Sequence, residues 1–327
     1  MPDKARFDGV SAAVTGAGGF IGRAVAAALT AEGATVRGID AARDAAEGIS
    51  AAGAEPVVAD VTDAAALTAA FDGMELVVHT AAYVRDWGTM AEFVRVNVAG
   101  TATALGVAEA AGAGRFVQIS SVVVYGYDDP SEQGEDSFLR AVGIPYIDTK
   151  SASDRLAARR GAVVVRPGDV YGPRSIPWLV RPLELARANQ LAVPSPGDGV
   201  MLPVYVDDLV EGILVAAGRG KPGLSYTVWD GRPVTFTDYF SRIAEIAGSA
   251  SPRTLPRPLL ELLGAGAEAL ARLRGGPPAF TSRAATFIDR RGTAATGRVR
   301  ELGWEPRVEL DEGMRRSAEW ARAEGLA

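Results

Sequence analysis

The sequence predicts a doubly wound α/β fold, in which helices cover both faces of a parallel sheet. The first half of the chain alternates short runs of β-branched residues with alanine-rich stretches of helical periodicity. The short runs are apolar throughout, which is typical of parallel strands buried on both faces. Regular alternation of strand and helix favours a doubly wound sheet. The predicted strands are Ser11–Val14, Thr35–Ile39, Pro56–Ala59, Leu76–Thr80, Phe116–Ser120 and Val163–Arg166, and the predicted helices are Ile21–Ala31, Ala64–Phe71, Met90–Ala111 and Tyr146–Arg160.

The alternation ends after Arg166, where prolines and glycines interrupt the chain. Leu202–Val206 and Ser225–Val228 are predicted as further strands. We expect a sheet domain followed by a smaller, discontinuous C-terminal domain. The predicted bounds are 1–170, with 202–229 returning to it, for the sheet domain, and 171–201 with 230–327 for the smaller domain.

A stretch from Pro258 to Leu273 has the periodicity of an amphipathic helix. We interpret it as a helix that packs on its own domain. Contact with a membrane or with substrate is the alternative. The leucines that share its broad apolar face are Leu259, Leu262, Leu263, Leu270 and Leu273.

The composition excludes several classes of site. Of 327 residues, 48% are hydrophobic and 23% charged, which is ordinary for a globular protein. A formal charge of −6 indicates no nucleic-acid partner. The absence of cysteine excludes disulfides and thiolate chemistry, and with His79 as the only histidine no His-rich metal site is expected. Because no basic and apolar leader and no membrane-length apolar run occurs, we expect a cytoplasmic protein without a transmembrane segment.

A glycine-rich turn joins the first predicted strand to the first helix, in the sequence Thr-Gly-Ala-Gly-Gly-Phe-Ile-Gly from residue 15. Gly16 permits the tight turn, Gly19 lets backbone approach a pyrophosphate, and Gly22 allows close helix packing. The helix N-terminus then offers free N–H groups to the phosphates. A plain glycine turn is the alternative, but the strand before and the helix after favour a Rossmann-type site for a dinucleotide. Residues 1–170 are thus the predicted NAD-binding domain.

Asp40 ends the second predicted strand, where a carboxylate accepts hydrogen bonds from the adenosine ribose. A carboxylate there repels a 2′-phosphate, so we expect NAD in preference to NADP. Arg43 lies close in sequence and weakens this preference.

Tyr146 and Lys150 are four residues apart and share one face of a predicted helix, and Ser121 ends the fifth strand on the ligand edge of the sheet. A free phenol has a pKa near 10, so it is a poor base at neutral pH. We expect Lys150 and the positive ring of oxidised nicotinamide to lower this pKa. Tyr146 then exchanges the proton of an alcohol while Ser121 binds its oxygen. The alternative is a half-buried tyrosine one turn from a solvated lysine, but lysine occurs only at Lys4, Lys150 and Lys221.

These residues make the chain resemble the extended short-chain dehydrogenase/reductase family. The resemblance also includes Asp60-Val61, His79-Thr80-Ala81-Ala82, Asn97, Val124-Tyr125-Gly126, Arg166-Pro167-Gly168, Val170-Tyr171-Gly172-Pro173 and Val206-Asp207-Asp208-Leu209. It implies that Asp60 and Val61 flank the adenine, that Ala81 and Ala82 line the nicotinamide ribose side, that Lys150 also holds that ribose, and that His79 is structural. The expected cofactor-binding residues are Gly16, Gly19, Phe20, Ile21, Gly22, Asp40, Asp60, Val61, Ala81, Ala82, Tyr146, Lys150 and Pro167.

Within this family the chain is most similar in pattern to the 3β-hydroxysteroid dehydrogenase branch. Nucleotide-sugar enzymes commonly carry an asparagine to meet the diphosphate where this chain has Asp169, and dehydratases carry an acidic pair where it has Val122 and Val123. We therefore expect a hydrophobic, steroid-like alcohol or ketone. A nucleotide-sugar epimerase or dehydratase is the alternative, and a non-catalytic nicotinamide sensor is a third.

Aromatic residues follow the fourth and sixth strands on the ligand edge and are candidate pocket walls. Ordinary core packing is the alternative at each of them. The candidates are Tyr83, Trp87 and Trp178, with Met90 and Leu179 beside them. Family resemblance also implies a homodimer, paired through helices Met90–Ala111 and Tyr146–Arg160.

Overall fold

The structure is a computed structural model that describes residues 6–278 and 280–327. Residues 1–5 of the predicted NAD-binding domain, Lys4 among them, and residue 279 lie outside the described part. The strands are β1 (Ser11–Thr15), β2 (Thr35–Asp40), β3 (Glu55–Val58), β4 (Leu76–His79), β5 (Arg115–Ile119), β6 (Glu132–Gln133), β7 (Val163–Pro167), β8 (Asp169–Tyr171), β9 (Ala192–Pro194), β10 (Val200–Met201), β11 (Pro203–Tyr205), β12 (Ser225–Val228), β13 (Val234–Thr235), β14 (Arg253–Leu255) and β15 (Thr293–Ala294).

The helices cover both faces of the main sheet and continue into the C-terminal part. They are α1 (Phe20–Ala31), α2 (Ala46–Ala51), α3 (Ala64–Phe71), α4 (Met90–Phe93), α5 (Thr101–Ala110), α6 (Pro145–Arg159), α7 (Arg181–Arg187), α8 (Val206–Arg219), α9 (Phe236–Ile246), α10 (Arg257–Arg274), α11 (Ala284–Phe287), α12 (Gly297–Glu301) and α13 (Leu310–Ala323). Shorter 3₁₀ turns lie at Arg43–Ala45 and Val122–Tyr125, and π-helical turns lie at Val94–Gly100 and Ile176–Val180.

Seven strands form one parallel sheet in the order β12-β7-β5-β4-β1-β2-β3. β1 pairs with β2 on one side and β4 on the other, so the winding direction reverses at β1. This is the predicted doubly wound, Rossmann-type sheet, and the six predicted strands of the first half occur with ends shifted by about one residue. The fold prediction is confirmed.

The sheet is buried because successive side chains enter two different cores. In β1, Val14 packs in the core on one face of the sheet and Ala13 in the core on the other. Val78 and Val77 of β4 divide in the same way. A strand with apolar residues at every position therefore loses water on both faces, which is why runs of valine and alanine form these strands.

The two later strands have different positions. β12 pairs with β7 at the edge of the main sheet. The predicted strand Leu202–Val206 is shorter, as β11, and pairs with β8 in a separate two-stranded sheet. Gly168 lies between β7 and β8, and a Cβ on it would lie 2.3 Å from the Leu202 carbonyl oxygen, so the close approach of these two segments requires glycine there. The division of the chain into two domains stays a prediction.

The predicted helix Met90–Ala111 contains a π-helical turn between α4 and α5. The wider turn includes Asn97, which is 2% exposed. Its Oδ1 accepts a 2.6 Å hydrogen bond from the Tyr83 N–H, and its Nδ2 donates to Thr149 Oγ1 at 3.1 Å. Such turns are frequent at functional sites. Here the turn connects the loop after β4 to helix α6.

Helix α10 matches the predicted amphipathic stretch but turns a different face inward. Leu260 and Gly264 are its buried residues, and Gly264 lies against the backbone of Thr281 and Ser282. The helix therefore packs on the C-terminal part through Leu260 and Gly264, while its leucine-rich face is exposed. The exposed leucines are Leu259, Leu262, Leu263, Leu270 and Leu273. Among the described residues, no helix combines the length and apolarity needed to cross a membrane.

Candidate active site

The loop between β1 and α1 has the geometry of a phosphate cradle. Gly16 has φ +68°, in the left-handed region that favours glycine. A Cβ on Gly22 would lie 2.1 Å from the Gly16 carbonyl oxygen, so the helix approaches the turn closely. Gly19 caps α1 without a side-chain hydrogen bond, and the first turn carries no acidic residue. The N–H groups at Phe20 and Ile21 are therefore oriented to receive a pyrophosphate.

Asp40 lies beside this loop at the end of β2. Its carboxylate accepts hydrogen bonds from Gly18 N–H at 2.9 Å and Ala42 N–H at 3.0 Å. A Cβ on Gly18 would lie 2.4 Å from the Ala45 Cβ and 2.9 Å from the Asp40 carboxylate. Gly18 was not singled out from the sequence, yet it is the glycine that lets Asp40 approach the loop. Arg43 is exposed in the following turn.

The other predicted cofactor residues line the same edge of the sheet. Asp60 accepts hydrogen bonds from the backbone and hydroxyl of Thr62, which lower its pKa, and its second oxygen lies 3.3 Å from Arg95. Val61 is buried, Ala82 follows Ala81 at the end of β4, and Pro167 ends β7. A Cβ on Gly16 would lie only 2.8 Å from the Ala81 backbone, so the two segments are in close contact.

Ser121 and Tyr146 meet at the C-terminal edge of β5. Ser121 caps the 3₁₀ turn after this strand, and Tyr146 is in the first turn of α6. The Ser121 hydroxyl accepts a 3.3 Å hydrogen bond from Val123 N–H, and its proximity to Tyr146 lowers the pKa of the phenol. The neighbouring Ser120 is 4% exposed, and its hydroxyl has no hydrogen-bond partner within the described ranges. Of the two serines, Ser121 is the one that the fold brings to Tyr146.

Burial dominates the electrostatics at Tyr146. Desolvation raises the pKa of Tyr146 to about 12, the hydrogen bond from Ser121 lowers it in part, and the charge of Asp169 raises it further. The prediction that Lys150 and the positive ring of oxidised nicotinamide together lower this pKa concerns the cofactor-bound enzyme and stays a prediction. Burial by itself disfavours the phenolate, so these surroundings favour the protonated phenol.

Lys150 is 4% exposed, one turn after Tyr146. Its Nζ donates a 2.8 Å hydrogen bond to the Ile119 carbonyl at the end of β5. Burial lowers the pKa of Lys150 to about 8, and the charge of Asp154 opposes this shift. The lysine is therefore a buried cation fixed to the strand that carries Ser121, and not a solvated side chain.

A buried ion pair anchors helix α6 to strand β7. Arg166 donates to both oxygens of Asp154 at 2.8 and 2.7 Å, and the two side chains are 5% and 1% exposed. Arg166 also donates to the Tyr125 hydroxyl at 2.9 Å. Since Asp154 is one turn beyond Lys150, this pair fixes the axial position of the catalytic helix.

His79 is fully buried at the end of β4. Its Nδ1 pairs with Thr15 Oγ1 at 2.8 Å and its Nε2 with Thr101 Oγ1 at 3.3 Å. Desolvation, with a smaller effect of Lys150, lowers its pKa to about 3. A neutral imidazole with both nitrogens bonded to protein hydroxyls fits a structural role better than that of a base.

The scan of family models matches residues 12–229 to the NAD dependent epimerase/dehydratase family. The chain belongs to this family. It is thus an enzyme of the extended short-chain dehydrogenase/reductase type with NAD as its cofactor, and the glycine loop with its uncapped helix and Asp40 fits that cofactor.

Relatives within the family include reductases and dehydratases. The chain is 28% identical over 242 residues to a 4-hydroxy-2-methyl-3-oxo-4-farnesyl-3,4-dihydroquinoline-1-oxide ketoreductase of Stigmatella aurantiaca, covering 72% of each chain. It is 26% identical to a 2-alkyl-3-oxoalkanoate reductase of Stenotrophomonas maltophilia, over 93% of this chain and 97% of the relative. A dTDP-glucose 4,6-dehydratase of Streptomyces griseus is 30% identical over 76% of this chain and 72% of its own.

A solved dTDP-glucose 4,6-dehydratase of Streptomyces venezuelae has the same fold, with a TM-score of 0.78 and 24% identity. The match covers 97% of this chain and 100% of that one.

The described residues contain no group of three or more acidic or histidine side chains that could hold a metal ion.

The predicted pocket walls of this epimerase/dehydratase-family enzyme divide into two groups. The Tyr83 ring meets Phe93 edge-on at 4.8 Å, and Phe93 meets Tyr146 at 6.4 Å, so Tyr83 is connected to the catalytic tyrosine. Arg85 lies over the rings of both Tyr83 and Trp87. Met90, on α4, is exposed.

Trp178 stacks on Phe236 at 5.5 Å, and Phe236 in turn faces Arg290. Leu179 is fully buried in the main core, so its proposed place in a pocket wall is wrong. The π-helical turn that contains Leu179 contacts β8 and α7.

The C-terminal part supplies wall residues that sequence reasoning missed. Phe287, at the end of α11, contacts Tyr146 at 6.5 Å and Tyr127 at 5.4 Å between ring centroids. Tyr127 is 5% exposed, and its hydroxyl has no hydrogen-bond partner in the described structure. No sequence signal links Phe287 to a helix 140 residues earlier, but the alternation Tyr83-x-Arg85-x-Trp87 does indicate that these three side chains share one face.

Asp169 forms a buried ion pair with Arg290, and the two side chains are 8% and 4% exposed. Asp169 also accepts a 2.8 Å hydrogen bond from Leu202 N–H, and Arg290 donates to the Val200 carbonyl. Desolvation raises the pKa of Asp169, while Arg290 lowers it. The guanidinium lies between the rings of Tyr127 and Phe236. Arg290 is therefore already matched by a carboxylate of the same chain.

Proposed function

We propose that this enzyme interconverts a ketone and a secondary alcohol on a hydrophobic substrate. The observation that carries the proposal is the placement of Tyr146, in the first turn of α6, beside Ser121 at the C-terminal end of β5, with a phenol whose pKa burial raises to about 12. A protonated phenol beside a second hydroxyl is arranged to bind a carbonyl oxygen and to give it a proton. Reduction of a ketone is the direction that this resting state favours.

Each catalytic side chain has one task in the proposed reaction. Ser121 donates a hydrogen bond to the carbonyl oxygen and holds it near Tyr146. Tyr146 gives its proton to that oxygen as a hydride reaches the carbonyl carbon, and takes the proton back in the oxidation. NADH supplies the hydride when it is bound. Lys150, fixed to the Ile119 carbonyl, holds a positive charge near the phenolate that forms and donates to the nicotinamide ribose.

The proposed substrate class rests on the residues that would line the substrate pocket. Phe93, which contacts Tyr83, and Phe287 provide an aromatic surface near Tyr146, and the Asp169–Arg290 pair leaves no net positive charge there for a diphosphate. A steroid-like ring system is one form of such a substrate, as the resemblance to 3β-hydroxysteroid dehydrogenases implies. Two relatives are named as reductases of a farnesylated quinoline oxide and of 2-alkyl-3-oxoalkanoates, which supports a ketone with an apolar chain.

A substrate panel tests the proposal. Oxidation of NADH with apolar ketones, or reduction of NAD with steroid alcohols, is the expected result. The alternative is a nucleotide-sugar epimerase or dehydratase, favoured by the 30% identity to a dTDP-glucose 4,6-dehydratase. Turnover of a UDP- or dTDP-sugar without net NADH change, and no reaction with any ketone, would replace our proposal by that alternative.

Two further expectations belong to this proposal. A homodimer through α4–α5 and α6 is supported by Met90 and Val94, which are apolar yet both 41% exposed on the pairing helix. Light scattering at micromolar concentration tests it, and a monomer there would contradict it. A cytoplasmic location also stays a prediction, tested by fractionation of the cells that produce the protein.

A further inference from the structure

The loop after β4 holds a cation in a fixed position near the catalytic tyrosine. The guanidinium carbon of Arg85 lies 4.9 Å from the ring centroid of Tyr83 and 4.9 Å from that of Trp87. The loop has no regular secondary structure and bends at residues 86–88, and its path brings side chains 83, 85 and 87 together. An arginine between two aromatic faces keeps its charge and its donors but loses much of its freedom of motion.

The loop itself is anchored to the catalytic helix. Asn97 bonds the Tyr83 backbone N–H at 2.6 Å and Thr149 of α6 at 3.1 Å. The Tyr83 ring connects through Phe93 to Tyr146, with centroid distances of 4.8 and 6.4 Å. Arg85 is therefore placed on the loop at the ligand edge of the sheet and is linked to Tyr146 through the rings of Tyr83 and Phe93.

No carboxylate neutralises Arg85 in an ion pair among the residues that the structure describes. The adjacent Asp86 is engaged by Arg181 at 3.2 Å and by the Thr281 hydroxyl at 2.8 Å. Glu92, the next acid along the chain, accepts hydrogen bonds from the N–H and hydroxyl of Thr89 in a capping box at the start of α4. Both nearby acids thus bind other groups, while the donors of Arg85 stay available at an exposed position.

We propose that Arg85 binds the carboxylate of the substrate, so that the enzyme acts on apolar oxo acids whose carbonyl lies at Ser121 and Tyr146. This rests on the proposed function for the reacting end of the molecule. A guanidinium offers two parallel donors that match one carboxylate. A single such group between aromatic walls fits a monoanion with an apolar chain better than a diphosphate, which requires several cations.

The test is a binding measurement that needs no turnover. Octanoate and 1-octanol have the same chain length and differ in the charged group, so calorimetric titration of each into the NAD-loaded enzyme isolates the carboxylate. Octanoate is expected to bind at least about tenfold tighter than octanol, because a charge-assisted pair is worth this much. Raising the salt concentration from roughly 0.05 to 0.5 M should weaken octanoate alone, since screening acts on the charge.

Arg85→Gln should weaken octanoate about tenfold and leave octanol unchanged, whereas Arg315→Gln, at an exposed arginine on the last helix, should change neither. Arg85→Lys should retain part of the preference because the charge remains. Equal affinities in the unaltered enzyme, no binding of octanoate, or a preference that survives Arg85→Gln would each overturn the assignment. Because no ketone is consumed, these results stand apart from the success or failure of the reductase proposal.

Discussion

The cofactor side and the substrate side of this enzyme are built in different ways. The glycine loop, Asp40 and the Tyr146–Lys150 pair each lie within a short stretch of chain, on elements whose ends are set by the sheet. The substrate side joins the loop after β4 to Trp178, about 90 residues further along the chain, and to Phe287 and Arg290, about 200 residues further along. The cofactor side is formed by local segments around one ligand, NAD, whereas the substrate side is assembled from loops and C-terminal segments.

The two sides also differ in whether their charged groups are neutralised within the protein. On the cofactor side, charged and polar groups can still bind a ligand. The Asp40 carboxylate makes no ion pair with a side chain of the described structure, and the N-terminus of α1 has no side-chain cap. On the far wall, Asp169 and Arg290 neutralise one another within the protein. A buried pair of this kind contributes little net stability, but it removes a charge that a ligand would otherwise use.

The largest effect is expected where the two sides meet, at Tyr146. Tyr146→Phe removes the hydroxyl that exchanges the proton and should lower kcat about a thousandfold. NADH affinity, measured by fluorescence titration, should change less than about twofold because the ring and Lys150 remain. A variant that keeps more than a tenth of the normal rate would show that another group carries the proton.

The Asp154–Arg166 pair tests how the catalytic helix is positioned. Asp154→Leu leaves Arg166 buried without its partner, and the free energy of unfolding should fall by about 3–5 kcal/mol. The double variant Asp154→Leu with Arg166→Met removes both charges and should recover part of this loss. Urea unfolding measures both values. A single variant as stable as the unaltered protein would contradict the structural role given to this pair.

Gly22 tests the packing of the glycine loop. Gly22→Ala places a Cβ 2.1 Å from the Gly16 carbonyl oxygen, so the loop must move, at about 1–3 kcal/mol in stability. The same substitution should weaken NADH binding about tenfold. Gly106→Ala in α5 is the matched control, because its Cβ would meet nothing within 4 Å and should be neutral or slightly stabilising. Equal NADH affinity in the two variants would remove Gly22 from the cofactor site.

Sequence reasoning succeeded where the determinant is local. Alternation into two cores predicted the strands of the first half, and the spacing of four placed Tyr146 and Lys150 on one helical face. It failed where the determinant is tertiary. The exposed leucines of α10 and the buried Leu179 follow from which neighbours the folded chain supplies, and period alone does not contain that information.

Electrostatics were the hardest to predict because burial acts against the intuitive pairing. A lysine one turn from a tyrosine indicates an acidic phenol, but the structure buries both groups, and each then disfavours its charged form. Asp169 adds to this at Tyr146, and its proximity depends on the path of β8. Tyr146, Lys150 and Ser121 could be named from the sequence, whereas their protonation states required the surroundings.

The smallest expected effect is in the pH dependence, which follows from these two pKa values. Oxidation needs the phenolate, and with a Tyr146 pKa of about 12 its rate should rise steadily from pH 6 to 10. Reduction needs the protonated phenol, which persists over that range, so kcat/KM for a ketone should be flat up to about pH 8. Above pH 8, kcat/KM for the ketone should decline a fewfold. Lys150, with a pKa of about 8, then loses the charge that stabilises the phenolate formed at Tyr146. Rates in both directions over pH 6–10 measure this. A reduction rate that already falls between pH 6 and 7 would mean that the phenol ionises near neutrality, and burial would then not be the dominant influence on Tyr146.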